Sequence, residues 1–239
     1  MTYKTAAFTI AFLGAHYATS AHGQDASAVN DANNTLTPKI TVNLQNYCTP
    51  SFYGLPDKDA NNFLLRGLIP MRVAGVVNLL RFTLPLSTVP AFPHGYETGL
   101  GDLALMDLFV FPGKPMSFAA GPILVAPTAT SKATGDGRWQ IGSAGVVITP
   151  LSWGIVGALA TFQHSFADGL GREPQSALTF QPIVNYNLSN GFYLRYSAIW
   201  NFDFENHNGF IPVGLGIGKV LPINDKVTAN VFLEPQYIV

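Results

Sequence analysis

The glycine-rich stretch GLGIGK, residues 214–219, is the part of this sequence that most resembles a phosphate-binding loop. In such a loop, four residues separate a first glycine from a Gly-Lys pair, and a Ser or Thr follows the lysine to hold Mg²⁺. Here Val213 stands at the first glycine position, and Val220 stands where the hydroxyl is required. We therefore interpret the stretch as a glycine-rich strand, in which small residues allow close packing or bending of a sheet.

Side chains of the catalytic and metal-binding types do not occur in patterns that would support either chemistry. IGSAG only faintly resembles a nucleophile elbow, because Ser143 is misplaced relative to its glycines and no helix follows. Cys48 is the single cysteine, and no base is positioned to activate it. His94, His164 and His207 lack metal-ligand spacing. We predict no catalytic residue, no metal and no cofactor, and an esterase with a serine–histidine pair is the least favoured alternative.

The segment GFYLRYSAIWNFDF, residues 191–204, shows the pattern that would position the remaining candidate residues. Every second residue from Phe192 is apolar or aromatic, whereas the intervening set is mostly polar and includes Arg195 and Asp203. This period-two alternation predicts a β-strand with one oily face and one polar face. In a soluble sandwich the oily face would form the core, but in a membrane barrel it meets lipid and the polar face lines a lumen.

The alternation recurs along the chain and predicts an all-β protein. Residues 178–188 and 228–239 alternate as clearly as 191–204, and no convincing amphipathic helix is found. The less regular predicted strands are Lys39–Tyr47, Asn62–Met71, Val76–Leu86, Gly101–Phe111, Met116–Thr128, Arg138–Thr149, Trp153–Phe166 and Gly209–Val220.

The connections between these strands alternate in length. Residues 149–153 and 188–191 are tight turns rich in Pro, Gly, Asn and Ser, whereas 167–174 and 203–209 are longer loops. Tight turns at one end and long loops at the other are typical of outer-membrane barrels. A soluble sandwich has no reason to keep this order.

The composition agrees with a membrane environment. Charged residues make up 11% of the chain and hydrophobic residues 48%, whereas a soluble domain has about 25% charged residues. No internal stretch approaches the roughly 20 unbroken apolar residues of a spanning helix. The net charge of -1 gives no basic field for nucleic acid. These properties predict an antiparallel up-and-down transmembrane β-barrel in outer-membrane lipid, with no nucleic-acid partner.

The strand count predicts that the barrel is incomplete in this sequence. Starting in the periplasm, 11 strands would leave the chain end outside the cell and one strand unpaired, whereas single-chain bacterial barrels have even strand numbers. The sequence also stops at EPQYIV in mid-alternation. We expect a barrel of about 12 strands that lacks its last strand through C-terminal truncation. Miscounting one strand, such as Lys39–Tyr47, would remove this argument.

The start of the chain predicts export. A short basic beginning and a mostly apolar stretch through Tyr17 are followed by small residues at Ala21 and Gly23, which predict cleavage before Gln24. The predicted organisation is a signal peptide over residues 1–23, a flexible N-terminal segment over 24–38 and an outer-membrane barrel over 39–239.

Several stretches together resemble a known family of Gram-negative outer-membrane proteins. They are NNFLLRGLIPM, LLRFTLPL, GLGDLALMDLFVF, AAGPILVAPTATSKATGDGRWQIGSAGVVI, LTFQPIVNYNLSNGFYL, PVGLGIGKV and ANVFLEPQY. In this order they resemble the family named for the MetA pathway of phenol degradation, from about Asn62 to the end. The resemblance implies a transporter-like outer-membrane β-barrel that assists uptake of aromatic or other hydrophobic compounds. Family members continue past EPQY into another strand.

Polar residues on the predicted strands, and residues in or beside the long loop predicted at 85–99, are the candidate site residues. The lumen-lining candidates are Arg66, Arg81, Asn185, Arg195, Asn201, Asp203, Glu234 and Gln236. They would either fill a closed barrel with hydrogen bonds and ion pairs or contribute to passage. The loop-mouth candidates are Phe92, His94, Tyr96 and Asp102. Phe92 and Tyr96 would hold a hydrophobic solute, whereas Asp102 would either cap a turn or line the mouth.

The favoured function is passive passage of small hydrophobic or aromatic compounds through an outer-membrane barrel. The predicted partners are therefore outer-membrane lipid and a small hydrophobic or aromatic solute, and no reaction is catalysed. The alternative is a plugged structural or ligand-binding barrel without transport.

Overall fold

A computed structural model of the protein describes residues 12–14, 26–52, 55, 57–167, 171–224 and 227–239. The elements, in chain order, are β1 (Phe12–Gly14), α1 (Ala26–Asn33), β2 (Thr41–Thr49), β3 (Ala60–Val73), β4 (Val76–Pro90), β5 (Tyr96–Leu100), β6 (Leu103–Phe111), β7 (Ser117–Ala126), β8 (Gln140–Leu151), β9 (Gly154–Ser165), β10 (Ser176–Asn187), β11 (Phe192–Tyr196), β12 (Trp200–Asp203), β13 (Asn208–Phe210), β14 (Pro212–Gly214), β15 (Gly216–Asn224), β16 (Val227–Leu233) and β17 (Gln236–Ile238). A 3-10 turn, Ser189–Gly191, precedes β11. Among these residues, no helix is long and apolar enough to cross a membrane.

The antiparallel strand pairings return to the strand at which they begin. From β2 the wall runs through β3, β4, β6, β7, β8 and β9 to β10. β10 then pairs with β11, and β15, β16 and β1 complete the circuit to β2. In this circuit every strand has a paired neighbour on each side, although the short strand β1 pairs with only a few positions of β2 and β16. The predicted all-β, antiparallel up-and-down barrel is confirmed.

β1 lies between β2 and β16, where Gly14 pairs with both Thr41 and Thr228. This is the place that a twelfth strand of the predicted barrel would take. β1 falls within the predicted signal peptide, residues 1–23, whose cleavage site after Gly23 lies outside the described residues. The signal peptide and the C-terminal truncation stay predictions.

The predicted strands up to β10 match the observed strands within a few residues, but the C-terminal ones are divided further. The predicted strand 191–204 is β11 and β12, the predicted strand 209–220 becomes β13, β14 and β15, and 228–239 becomes β16 and β17. β5 lies in a stretch predicted as a long loop, and it pairs with the far end of β4. β4 itself continues to Pro90, four residues beyond the predicted strand end at Leu86.

The division between β11 and β12 is a local opening of one ladder without a change of register. Arg195 pairs with Gly216 on one side of the opening, and Asn201 pairs with Phe210 on the other. The difference between the two pairs is six residues along each strand, so no residue has been inserted. Between the two pairs, the N–H and the carbonyl of Ser197 are bound by side chains.

Side chains and a proline account for the opening. The Ser197 N–H donates to Glu234 Oε1 at 2.9 Å, and the Ser197 carbonyl accepts from Gln181 Nε2 at 3.0 Å. On the facing stretch Pro212 has no N–H to donate, and it pairs instead with Ile238 in the separate β14–β17 sheet. Local side-chain hydrogen bonds thus replace the ladder at this point.

Apolar side chains cover the outward face of the wall. On β3, Ile69 and Met71 are exposed, whereas Leu64 and Leu68 on the alternate face are each 6% exposed. The same alternation holds on β10, where Val184 and Tyr186 are exposed. The exposed members on other strands include Leu105, Phe118, Ile141, Val156, Phe162, Phe192, Ile217 and Leu233.

The inner side combines polar residues with an apolar cluster, which differs from the polar lumen that the sequence predicted. The cluster is formed by Leu36, Leu68, Leu79, Leu108, Ala119, Ala144, Val146, Ile148, Ile155 and Ile183. Leu36 follows α1 in the chain, so the N-terminal segment supplies part of the apolar contact. Most of these inward-facing aliphatic residues are therefore buried against protein, and Leu68 and Ile183 also border an internal cavity.

Helix α1 lies against the inner side of the wall, within the stretch predicted as a flexible segment. Val29 is 1% exposed and packs with Tyr193, Val220 and Phe232. The helix has only 8 residues and weak amphipathic character, so its sequence carries little helical signal. The wall holds it by tertiary contacts.

Candidate functional site in the lumen

Hydrogen bonds fix the orientation of α1 in the lumen. Asn30 donates from Nδ2 to the Leu151 carbonyl at 2.9 Å and accepts from Asn187 Nδ2 at 2.8 Å. Asn230 Nδ2 donates to Asn33 Oδ1 at 3.0 Å. The helix is thus tied to β8, β10 and β16, and it narrows the space inside the wall.

Arg66 and Arg81 project from neighbouring strands into the lumen. Arg66 on β3 lies opposite Thr83 on β4, and Arg81 lies opposite Leu68. Because residues two apart share a face, the two arginines are diagonal neighbours on the inner side. Arg66 Nη1 donates to Gln45 Oε1 at 2.6 Å. The Arg66 Nε and Arg81 Nη1 atoms are buried and have no hydrogen-bond partner among the residues that the structure describes.

Arg195 and Glu234 form a buried ion pair on the other side of the lumen, with Nε and Oε2 2.7 Å apart. Glu234 is 1% exposed and also accepts a hydrogen bond from Gln236 Nε2 at 3.0 Å. The Arg195 guanidinium stacks over the Phe232 ring, with Cζ 3.5 Å from the centroid. The carboxylate therefore balances the charge of Arg195, and the pair links β11 to the end of β16 across β15.

A cavity of about 370 Å³ lies between these two groups and the N-terminal segment. Of the lumen-lining candidates, the ones that line it are Arg66, Arg81, Asn185 and Arg195. Glu234 and Gln236 do not line the cavity: Glu234 binds the Arg195 side chain, and Gln236 donates a hydrogen bond to Glu234. The cavity is also lined by aliphatic residues of β6, β7, β9 and β10, so it offers both charge and apolar surface.

Asn201 and Asp203 lie on β12, away from the central cavity. The Asp203 carboxylate accepts hydrogen bonds from the backbone N–H groups of Glu205 and Asn206 at 3.0 and 3.1 Å. It therefore caps the turn that follows β12. Asp203 also borders a shallow outer pocket with His207.

The loop-mouth candidates lie on and beside the β4–β5 hairpin. Phe92 is 70% exposed, His94 is exposed, and the Tyr96 hydroxyl donates to the Asp59 carboxylate. That hydrogen bond raises the pKa of Tyr96. Lys58 lies over the Tyr96 ring at 5.3 Å. The side chain of Tyr96 is thus bound to the neighbouring loop, whereas Phe92 is open to a solute.

Asp102 fixes the loop between β7 and β8. Its Oδ1 accepts from the Ala129 N–H at 3.0 Å, and its Oδ2 accepts from the Gly137 N–H at 2.9 Å. Both acceptors are occupied by backbone donors. In this structure the side chain caps a loop.

Sequence reasoning did not single out several polar residues that line the cavity. They are Gln45, Thr161, Thr179, Gln181 and Asn230. Each lies on the inward-facing set of its strand, so the same alternation that gave the other candidates would have found them. No comparable signal exists for Asp31 or Thr35, which line the cavity from the N-terminal segment, as does Lys39 directly after it. The part of the chain that the structure describes holds no cluster of three or more metal-ligating side chains.

Comparison with known proteins gives a fold match only. No protein-family model and no curated protein sequence matches this chain. Among solved structures, it is similar to the COG4313 outer membrane channel from Pseudomonas putida F1, with a TM-score of 0.55 and 12% identity, over 98% of this chain and 96% of that chain. These comparisons do not confirm the MetA-pathway family suggested by the sequence. The chain has the β-barrel fold of that outer membrane channel.

Proposed function

We propose that this protein is an outer-membrane β-barrel that mediates passive passage of small hydrophobic or aromatic compounds. The observation that carries the proposal is the coexistence of an apolar outward face with an internal cavity in a fold shared with an outer membrane channel. The apolar face suits hydrocarbon, and the cavity supplies a place for a solute inside the wall. Export would follow the predicted signal peptide, residues 1–23.

The inner surface supports the hydrophobic class of solute. Leu68 and Ile183 belong to the apolar cluster and also line the cavity, together with Met106 and Leu159. A hydrophobic compound gains about 25 cal/mol for each Å² of apolar surface that it buries there. A strictly polar bore would offer no such gain. Neither catalysis nor a cofactor is part of the proposal.

A plugged ligand-binding barrel is the second candidate, and the position of α1 favours it. The helix is tied to the wall through Asn30 and Asn33, and Val29 is almost fully buried. Passage along the lumen requires a path beside α1 or a displacement of the helix. A plug that never moves would leave only binding.

Planar-bilayer conductance and liposome swelling with aromatic solutes test the proposal. The full chain is compared with a variant that lacks residues 26–37, which include α1 and Leu36. Conductance or swelling with the full chain supports passage. If only the deletion variant conducts or swells, the plugged barrel is correct, and if neither variant does so, the passage hypothesis is wrong.

A further inference from the structure

We propose that Arg66 and Arg81 form a binding site for the carboxylate of a small organic acid whose apolar body lies in the same cavity. This inference deepens the proposed function by naming a class of solute, a monoanionic hydrophobic acid. As a statement about the transported solute, it rests on that function. As a statement about binding, it can be tested without transport.

The backbone places the two guanidinium groups on one patch of the inner wall. Arg66 and Arg81 are diagonal neighbours in the β3–β4 ladder and both line the cavity. Side chains in this relation are about 7–8 Å apart at their backbone positions, within joint reach of one carboxylate. The ladder thereby presents two cations at a single location.

No carboxylate in the described ranges balances the charges of Arg66 and Arg81. Among the described residues, neither Arg66 nor Arg81 forms an ion pair, whereas Arg195 is paired with Glu234 at 2.7 Å. Asp31 is the one carboxylate among the described lining residues, and it makes no ion pair with either arginine. A buried guanidinium without a partner is costly, because it loses the water that solvated it.

The unsatisfied donors define what the site would accept. Within the described part of the chain, Arg66 Nε and Arg81 Nη1 have no acceptor, and the one partner of Arg66 is the neutral amide oxygen of Gln45. An arginine has donors in a planar fork, and a carboxylate accepts two of them in parallel. A carboxylate would satisfy these donors and neutralise charge, whereas a neutral amide would supply hydrogen bonds without neutralisation.

Apolar surface adjoins the arginines and defines the rest of the ligand. Met106 on β6 lies directly opposite Arg81, and Ile123, Leu159 and Ile183 line the same cavity. The volume of about 370 Å³ lies within the range of small-molecule pockets. A ring or short alkyl chain fits this description, so the site selects an acid with a compact hydrophobic body.

Binding of benzoate to the purified full chain in a non-ionic detergent, measured by isothermal titration calorimetry, tests the proposal. Benzamide is the matched neutral probe of nearly equal size. The site variants are Arg66→Gln and Arg81→Gln. The control is Arg72→Gln, which removes a positive charge from the exposed end of the same hairpin. Heat-modifiable migration on electrophoresis verifies that each variant is a folded barrel.

We expect saturable benzoate binding to the unaltered chain and to Arg72→Gln. We expect at least tenfold weaker benzamide binding, and at least tenfold weaker benzoate binding to each site variant. Equal binding of benzoate and benzamide would overturn the proposal. So would folded site variants that bind benzoate as tightly as the control, or the absence of benzoate binding to the unaltered chain. Should a glutamine variant fail to fold, Arg81→Lys replaces it, because it keeps the charge and removes the fork.

Liposome swelling separates this proposal from the proposed function. Swelling with benzamide but no benzoate binding retains the passage function and removes the anion site. Benzoate binding without swelling by either compound retains the site and removes the passage function. The two failures therefore give different results.

Discussion

At the scale of single residues, the three lumen arginines differ in how their charge is balanced. Arg195, on β11, has a carboxylate partner and an aromatic ring beneath it. Arg66 has one neutral partner, and Arg81 has none among the described residues. The charge of Arg195 is therefore neutralised within the protein, whereas the other two arginines have no carboxylate partner among the described residues.

Removing the carboxylate of the buried pair should destabilise the barrel. Glu234→Gln leaves Arg195 charged and desolvated, and we expect a loss of about 3–5 kcal/mol in the free energy of unfolding. Urea unfolding in lipid vesicles, followed by tryptophan fluorescence, measures it. The exposed Glu97→Gln serves as the control.

The double variant Arg195→Met/Glu234→Leu should recover most of that loss, since apolar replacement of both partners leaves no unpaired charge. Equal stability of Glu234→Gln and Glu97→Gln would contradict the role assigned to the pair.

At the scale of elements, the pairing of β11 with β15 requires a glycine at position 218. A Cβ at Gly218 would overlap the ring of Tyr193, which is fully buried and donates from its hydroxyl to Asn230 Oδ1 at 2.6 Å. The glycine of the GLGIGK stretch therefore makes room for an aromatic ring on the neighbouring strand. This is the close packing that the sequence interpretation anticipated for that stretch.

Gly218→Ala should destabilise the wall by about 1–3 kcal/mol, because the Tyr193 ring must move out of a packed site. Gly145→Ala is the matched control, since a Cβ there meets nothing within 4 Å. Thermal unfolding of the two variants in the same detergent measures the difference. Adding Tyr193→Leu should relieve the overlap in Gly218→Ala. An unchanged unfolding temperature for Gly218→Ala would refute this account.

Helix α1 is the second element whose contacts can be tested, here through the conductance of the barrel. Asn30→Ala removes the two hydrogen bonds that the Asn30 side chain makes with the wall. We expect a higher open-channel conductance, because the helix is then held less firmly. Planar-bilayer recording measures the change. Ala28→Ser alters an exposed position of the same helix and should leave conductance unchanged. Lower or equal conductance of Asn30→Ala would show that these bonds do not restrict the lumen.

At the scale of the whole molecule, apolar side chains lie both on the outer surface of the barrel and inside it. The outer surface is thus the reverse of a soluble protein's, whereas the interior is not. Val184 and Tyr186 face outward, as period-two alternation predicted, but Ile183 between them belongs to an internal apolar cluster. The sequence could predict which residues alternate. It could not predict that the N-terminal segment would enter the lumen and make apolar contacts with inward-facing aliphatic residues.

Three further features could not be predicted from the sequence, each for a specific physical reason. The alternation in 191–204 is unbroken, so the opening at Ser197 is invisible there, although Pro212 on the facing strand is a signal that one ladder bond is lost. Arg66 and Arg81 could be assigned to the inner face, but their proximity depends on the β3–β4 register. Helix α1 is specified by asparagine contacts with distant strands, which no local pattern contains.

A charge on the outward face should cost stability if that face meets hydrocarbon. We expect Val184→Arg to reduce the free energy of unfolding in lipid vesicles by about 2–4 kcal/mol. Thr98→Arg, on the exposed β4–β5 hairpin, is the control and should have little effect. Equal stability of the two arginine variants in vesicles would argue that Val184 does not contact lipid.

The packing of Tyr193 over Gly218 has an evolutionary consequence. The two positions lie 25 residues apart in the chain, yet the same small volume must hold both. Homologues that acquire any side chain at the glycine must therefore carry a smaller residue at the tyrosine. Paired substitution at these two alignment columns would be the trace that this strand contact leaves in the lineage.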